Sequence, residues 1–483
     1  MKQEQNQIVL KNFMWRFLER CGSQGVALLV SVILARKLMP EVYGTVAIVT
    51  VFTNILQVFV DSGFGVALIQ KKDADQLDFS TVFFFNLGFS FLLYAGMFFA
   101  APWIATFYGK PELISIVRVL SLIVLIAGVR NVQQSYVSRN MQFKKFFYST
   151  LGGTIISGII SVILVYLDFG VWALVIHTLA NVAVSVAILW YTVKWRPSLQ
   201  FSFYRLRTLF SFGWKLLLSS LIDTLYNNVR ALIIGKLYSS EQLAHYDRGK
   251  QLPHLIVTNI NSSIDSVLLP TMSAKQDDTA AVRSMTRRAI KTSSYIMMPL
   301  MMGLAVCAEP IIRLILTDNW LPCVPFLRIF CFTYAFYPIH TANLNAIKAM
   351  GRSELFLYLE IAKKVVGLAA VAATFWISVE AMAYSLLATS IFSQIINSWP
   401  NQKLLGYSYL NQIKDMLPQI GLSCLMGAVV SCVALLGLPS FLTLLIQIPL
   451  GAAVYIIGSI LFRFESFTYI INIAKRYIRP KAR

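Results

Sequence analysis

Apolar stretches of about 20 residues recur from one end of this chain to the other, separated by short polar connections. A run of that length crosses a ~30 Å hydrocarbon layer as a helix. The pattern predicts fourteen spans, at residues 12–35, 42–62, 80–104, 113–137, 146–167, 170–193, 208–236, 243–273, 282–307, 321–349, 354–377, 379–399, 416–437 and 439–462. Runs such as 155–165 and 182–189 are almost continuously apolar, as in a lipid-immersed helix rather than an amphipathic surface one. The eighth span is the most polar and carries Pro253 and Pro270. The ~10-residue alternating segments of a β-barrel do not occur. The expected fold is all-α and polytopic.

Two longer hydrophilic stretches, 194–207 and 273–291, are too short for a soluble domain. The first, Trp195-Arg-Pro-Ser-Leu-Gln-Phe-Ser-Phe-Tyr-Arg-Leu-Arg207, mixes aromatics with cations and reads as a bilayer-surface segment. It divides the chain into an N-terminal lobe at 1–207, a second lobe at 208–400, and two further helices with a basic tail at 401–483. The two sides echo each other. Ile33-Leu-Ala-Arg-Lys-Leu-Met-Pro-Glu-Val-Tyr43 resembles Ile233-Ile-Gly-Lys-Leu-Tyr-Ser-Ser-Glu-Gln-Leu243, with Tyr246 following. Such repeats are common in secondary transporters, which hold substrate between them.

Composition fits this reading: 57% of residues are hydrophobic and 13% charged. The 42 Lys and Arg give a formal net charge of +20, and their placement matters more than their number. Connections after odd-numbered spans hold only Arg36, Lys37, Lys110, Lys236 and Arg313, whereas those on the other side hold most of the rest. The positive-inside rule then puts both termini in the cytoplasm. The charge is a topology signal, and nucleic acid is not an expected partner. The first apolar run lacks a small-residue cleavage site and reads as a first span, not a removed signal. Six cysteines in or beside apolar runs read as buried small hydrophobes. Four dispersed histidines make no metal motif, and there is no phosphate loop.

Ionisable groups inside spans are costly unless they face a cavity or a partner. Arg16 and Arg20 stack on one face of the first span, beside Glu19 and ahead of the small polar segment Gly22-Ser-Gln-Gly25. Arg130 sits among Asn131, Gln133 and Gln134. The seventh span aligns Asp223, Asn227 and Arg230 on one face, next to Asn228; the eighth carries Arg248, Lys250 and Asp265. In the eleventh, Glu360 and Lys364 are expected to pair in i,i+4 register, leaving Lys363 to face substrate. Lys215 reads as snorkelling to the bilayer surface, while Arg118 and Arg328 suit either snorkelling or a cavity wall. The candidate cationic cavity is thus Arg16, Arg20, Arg130, Arg230, Arg248, Lys250 and Lys363. The candidate coupling or polar residues are Glu19, Asp61, Asp223, Asn227, Asn228 and Asp265. A wet interior with excess positive charge suits an anionic, hydroxyl-rich substrate, since Arg grips phosphate bidentately.

Several segments resemble the polysaccharide-repeat-unit flippases of the multidrug/oligosaccharidyl-lipid/polysaccharide (MOP) superfamily. They are Leu34-Ala-Arg-Lys-Leu-Met-Pro-Glu-Val-Tyr-Gly44, Asp61-Ser-Gly-Phe64, Asn227-Asn-Val-Arg-Ala-Leu-Ile-Ile-Gly-Lys236, Tyr246-Asp-Arg-Gly249, Leu269-Pro270 with Ser273, and Ala346-Ile-Lys-Ala-Met-Gly-Arg352. Ala244-His245 departs from the family, which places Gly before that Tyr. The resemblance implies two six-helix lobes in a V, two C-terminal helices, and alternating access. It implies an undecaprenyl-diphosphate-linked oligosaccharide flipped across the bacterial inner membrane for O-antigen, capsule or exopolysaccharide synthesis. Expected partners are that lipid-linked oligosaccharide, membrane lipids, and a polysaccharide polymerase with its chain-length regulator. No cofactor is expected beyond a Na+ or H+ gradient, and the chain reads as a transporter rather than an enzyme. The alternatives are a cation-coupled drug antiporter or a peptidoglycan-precursor flippase of the same superfamily.

Overall fold

In the computed structural model the backbone is described for residues 2–61 and 63–478; the side chains of 1–13, 16, 17, 212, 473, 474 and 476–478 lie outside the described set. The helices are α1 (Lys2–Lys37), α2 (Pro40–Asp61), α3 (Phe64–Gln70), α4 (Gln76–Tyr108), α5 (Leu113–Leu120), α6 (Leu122–Arg139), α7 (Phe143–Tyr166), α8 (Val171–Thr192), α9 (Phe203–Leu237) and α10 (Ser240–Ser273). They continue with α11 (Thr279–Val306), α12 (Ala308–Ile315), a 3₁₀ turn (Asp318–Cys323), α13 (Val324–Ala335), α14 (Tyr337–Ala349), α15 (Ser353–Thr374), α16 (Val379–Leu405), α17 (Tyr409–Ala434), α18 (Ser440–Leu461) and α19 (Glu465–Ile478). Among the described residues there is no strand.

Among the described residues, helix runs through most of each expected span, and eleven helical segments are long and apolar enough to cross a membrane. Three long helices, α9, α10 and α15, fall outside that group. They are the helices carrying Asp223 to Arg230, Asp247 to Asp265, and Glu360 to Lys364, and their polar content lowers the apolar average. Helix α10 runs unbroken through Pro253 and Pro270. It also runs through Ala244-His245, where the His245 ring meets Trp320 edge-on at 5.8 Å.

Two compact units divide the chain at residues 244/245, beyond the surface segment at 194–207, because α9 packs on α2, α3 and α4. In the first unit the sparse cations gather at one end. Lys110 Nζ lies 3.0 Å from Glu41 Oε1, and Lys236 donates to the Phe107 carbonyl. The turns after α1 and α9 close alike, with Leu38 N donating to Leu34 O at 2.9 Å and Tyr238 N to Ile234 O at 3.0 Å. Gly44 approaches the Ser240 backbone so closely that a Cβ would lie 1.6 Å from its carbonyl oxygen. Only glycine fits there.

The other end of the first unit collects the cation-rich connections. Arg139 donates to the carbonyls of Leu68 (2.7 Å), Lys71 and Lys72, answering the negative end of α3. The surface segment is pinned to α4 by Trp195 donating to Gln76 Oε1 at 2.6 Å and by Ser198 N donating to Ser80 Oγ at 3.0 Å. Phe64, Phe79, Phe83, Val132 and Trp195 fill the core beneath it.

In the second unit α11, α17 and α18 share a core of Tyr295, Met426, Val430 and Tyr455. The basic end of α11 is tied to α17 by Arg287 to Asp415 at 2.6 Å and to α19 by Lys291 to Glu465 at 2.6 Å. The hydrogen bond from Lys291 holds the Glu465 carboxyl below the usual carboxylate range. Of the cysteines, Cys307, Cys323 and Cys331 are buried, but Cys21, Cys424 and Cys432 are exposed. The expectation of burial fails for those three because an apolar helix face in a membrane protein can point outward to lipid.

Candidate functional site

The first unit separates the candidates on α1 by one residue. Arg20 is exposed, while Glu19 turns into the contact with α7 and accepts from Thr150 at 3.1 Å. The Arg16 side chain lies outside the described residues. At the break between α2 and α3, Asn131 donates to Val60 O at 3.1 Å and to Asp61 Oδ1 at 3.3 Å. Arg130 supplies the charge that bears on Asp61. Asp61, Arg130 and Asn131 therefore form one polar group, drawn from motifs about 70 residues apart in sequence.

On α9, Asp223 and Asn227 are exposed and Asn228 is half-buried, its amide closing on Thr224 O at 2.8 Å. Arg230 alone of this set is buried, at 5% exposure. Helical spacing places 223, 227 and 230 on one face, yet packing on α2 and α4 covers only the last.

In the second unit Arg248 stacks over Trp320, 4.9 Å from the ring centroid, and donates to Gln251 Oε1 at 2.8 Å. Trp320 is fully buried, so it gives the guanidinium a fixed platform. Lys250 is half-buried two residues on. Asp265 accepts from Asn345 of α14 at 2.5 Å. On α15 the pairing differs from expectation: Lys363 Nζ, not that of Lys364, lies 2.5 Å from Glu360 Oε1. An i,i+3 neighbour is as near on a helix surface as an i,i+4 one, and the Lys363 side chain, 15% exposed, is on the covered side. Two of the remaining interior cations are also accounted for. Arg118 lies 4.2 Å over Phe98 and donates to its carbonyl, and Arg328 donates to Ala305 O at 3.2 Å.

Sequence reading missed a buried amide lattice in the second unit. Asn343 donates to Gln412 Oε1 at 2.7 Å, Gln412 returns a bond to Asn343 Oδ1 at 3.0 Å, and Asn401 donates to the same oxygen at 2.7 Å. Ser398 donates to Gln412 Oε1 at 3.0 Å. This joins α14, α16 and α17 where packing of apolar helices among lipids supplies little drive. Gln412→Leu removes the oxygen that accepts from both Asn343 and Ser398 and one of the two donors to Asn343 Oδ1, and is expected to cost about 1–3 kcal/mol. The check is a lower midpoint in thermal unfolding of the purified protein, with Gln412→Asn intermediate.

Among the described residues no group of His, Cys, Asp and Glu could hold a metal ion. The family model for "Polysaccharide biosynthesis protein" matches residues 33–325. This chain belongs to that family. Relatives of the same character include the teichuronic acid biosynthesis protein TuaB of Bacillus subtilis, 26% identical over 72% of this chain and 72% of its own length. The succinoglycan biosynthesis transport protein ExoT of Rhizobium meliloti is 23% identical over 85% of this chain and 81% of its own. Among solved structures, the lipid II flippase MurJ in its inward closed conformation superposes with a TM-score of 0.75 at 16% identity, covering 94% of this chain and 99% of MurJ. An inward-facing multidrug resistance transporter of the MATE family gives 0.61 at 15% identity, covering 82% of this chain and 95% of that one. The fold is shared with these two proteins, and the chain is a multi-pass membrane protein of the polysaccharide biosynthesis family.

Proposed function

We propose that this protein flips a lipid-diphosphate-linked oligosaccharide repeat unit across the bacterial inner membrane, by alternating access. The family match over a polytopic transporter fold carries this reading. The interior charge supports it, because cations outnumber acids on the spanning helices and suit a diphosphate. A drug-cation exporter would instead need buried carboxylates and aromatic walls. The cation-rich end faces the cytoplasm by the positive-inside rule, so both termini lie there. Arg248, fixed on Trp320, and Lys250 are the substrate ligands of the second unit in this reading. Asp61 with Arg130, and Asp265 with Asn345, are the acidic groups available for coupling to Na+ or H+. A polymerase and chain-length regulator would receive the flipped unit.

The test is deletion of the gene in a strain making its own surface polysaccharide. Polymer should disappear from the surface and lipid-linked repeat units should accumulate in the inner leaflet, with restoration by the intact protein. Arg248→Ala should export about tenfold less at normal abundance, from loss of a charge-assisted contact of roughly 1.5–3 kcal/mol. Arg248→Lys should rescue partly. Unchanged polymer in the deletion strain would overturn the reading.

A further inference from the structure

Arg230 on α9 is 5% exposed, yet neither its Nε nor its Nη2 meets a hydrogen-bond acceptor. These two N–H groups form one edge of the guanidinium, the parallel pair that matches two oxygens of a single oxyanion. A buried charge left in this condition is costly, so a counter-charge must come from somewhere.

The helices packed on α9 in the first unit do not supply it. Gly44 meets Ser240 and Gly235 meets Ile48, so α2 and α9 run antiparallel, and Arg230 falls level with residues 51–55 of α2. That stretch is Val-Phe-Thr-Asn-Ile. The carboxylates of α2 lie at its two ends: Glu41 holds Lys110 at 3.0 Å, and Asp61 sits with Asn131 and Arg130. The one acid on α4 is Asp78, at the far end and already paired with Lys71. Helix α3 has none. On α9 itself Asp223 is two turns away, about 10 Å along the axis. The outer end of α9 is meanwhile anchored, with Tyr108 Oη donating to Leu232 O at 3.4 Å and Lys236 donating to the Phe107 carbonyl. Arg230 is thus a preset fork in the first unit, on the cation-poor side of the helix midpoint.

We propose that Arg230 binds a phosphoryl oxyanion through its Nε–Nη2 edge. Two sources share that chemistry, the diphosphate of a lipid-linked substrate nearing release and a phospholipid headgroup. The first of these rests on the flippase reading above.

The test uses the full-length protein in detergent, with thermal unfolding followed against inorganic pyrophosphate at constant ionic strength. Pyrophosphate should stabilise the wild type, and its apparent Kd should weaken at least tenfold in Arg230→Gln. Arg230→Lys, which keeps the charge but loses the fork, should fall between and carries the test if Arg230→Gln does not fold. Arg313→Gln, at an exposed pair with Glu309 and Asp318, is the control and should bind as the wild type. Undecaprenyl diphosphate and phosphatidylglycerol in mixed micelles then separate the sources: whichever protects the wild type but not the variant is the occupant. Equal protection of wild type and both Arg230 variants by every ligand would overturn the proposal, as would Arg230→Met unfolding later while exporting normally. If pyrophosphate binds through Arg230 but gene deletion leaves polymer intact, the flippase reading falls and the anion site stands. If deletion abolishes polymer but the variants bind unchanged, only the anion site falls.

Discussion

Lys363→Ala is expected to lower the amount of folded protein in the membrane, and Glu360→Gln in the same chain to restore much of it. Lys363 Nζ lies 2.5 Å from Glu360 Oε1, with side chains 15% and 28% exposed. Removing one partner of such a pair strands the other charge, at about 3 kcal/mol for a group that keeps some access to solvent. Neutralising both removes the stranded charge, which is why the double variant recovers. Lys364→Ala gains nothing from Glu360→Gln, because its ammonium is not the partner. Abundance in isolated membranes and the unfolding midpoint report the effect. Rescue of Lys364→Ala by Glu360→Gln, without rescue of Lys363→Ala, would return the pairing to Lys364.

The spans were legible in the sequence because each is a run of apolar residues whose length is set by the bilayer. What interrupts them was not. The breaks at Ser121 and at Phe336 lie within apolar runs, and hydropathy does not register an interruption of a helix. The ends of the first unit were also readable, since the positive-inside bias and the observed grouping of Lys110, Glu41 and Lys236 share one cause. The candidate site was harder. Helical arithmetic put Asp223, Asn227 and Arg230 on one face, but which of them is covered depends on α2 and α4, which are remote in sequence. The same holds for Glu360, whose two lysine neighbours are equivalent by spacing and distinguished only by what packs around α15. The amide lattice of Asn343, Asn401 and Gln412 escaped notice because single amides in three separate helices carry no joint signal until they meet.

Asp78→Ala is expected to release the surface segment and the start of α9 from the first unit, with loss of folded protein greater than for any neighbouring change. Asp78 is fully buried, with Lys71 Nζ at 2.6 Å and Arg205 Nη1 at 3.4 Å from its carboxylate. It also accepts from the Asp75 backbone at 3.2 Å, completing a capping box at the N-terminus of α4. The substitution leaves two cations facing a buried gap and removes half the cap. Breaking the pair costs about 3 kcal/mol, the lower end for a buried pair, because Lys71 and Arg205 keep some access to solvent and Arg205 keeps Asp75, and the lost cap adds about 1 kcal/mol. Asp78→Asn should be milder, since the amide oxygen can still accept from the Asp75 N–H. Asp75→Ala should be milder still. Its carboxyl is held below the usual carboxylate range, chiefly by the Asp78 backbone N–H and then by Arg205. A depressed carboxyl contributes above its unfolded pKa and is lost as pH falls through the folded value, so this cap is intact at neutral pH. Limited proteolysis between residues 194 and 207 is the direct readout: rapid cleavage in Asp78→Ala, slow in Asp75→Ala and in the wild type. Equal cleavage of all three would mean that Trp195, Gln76 and Ser198 hold the segment without the ion pairs.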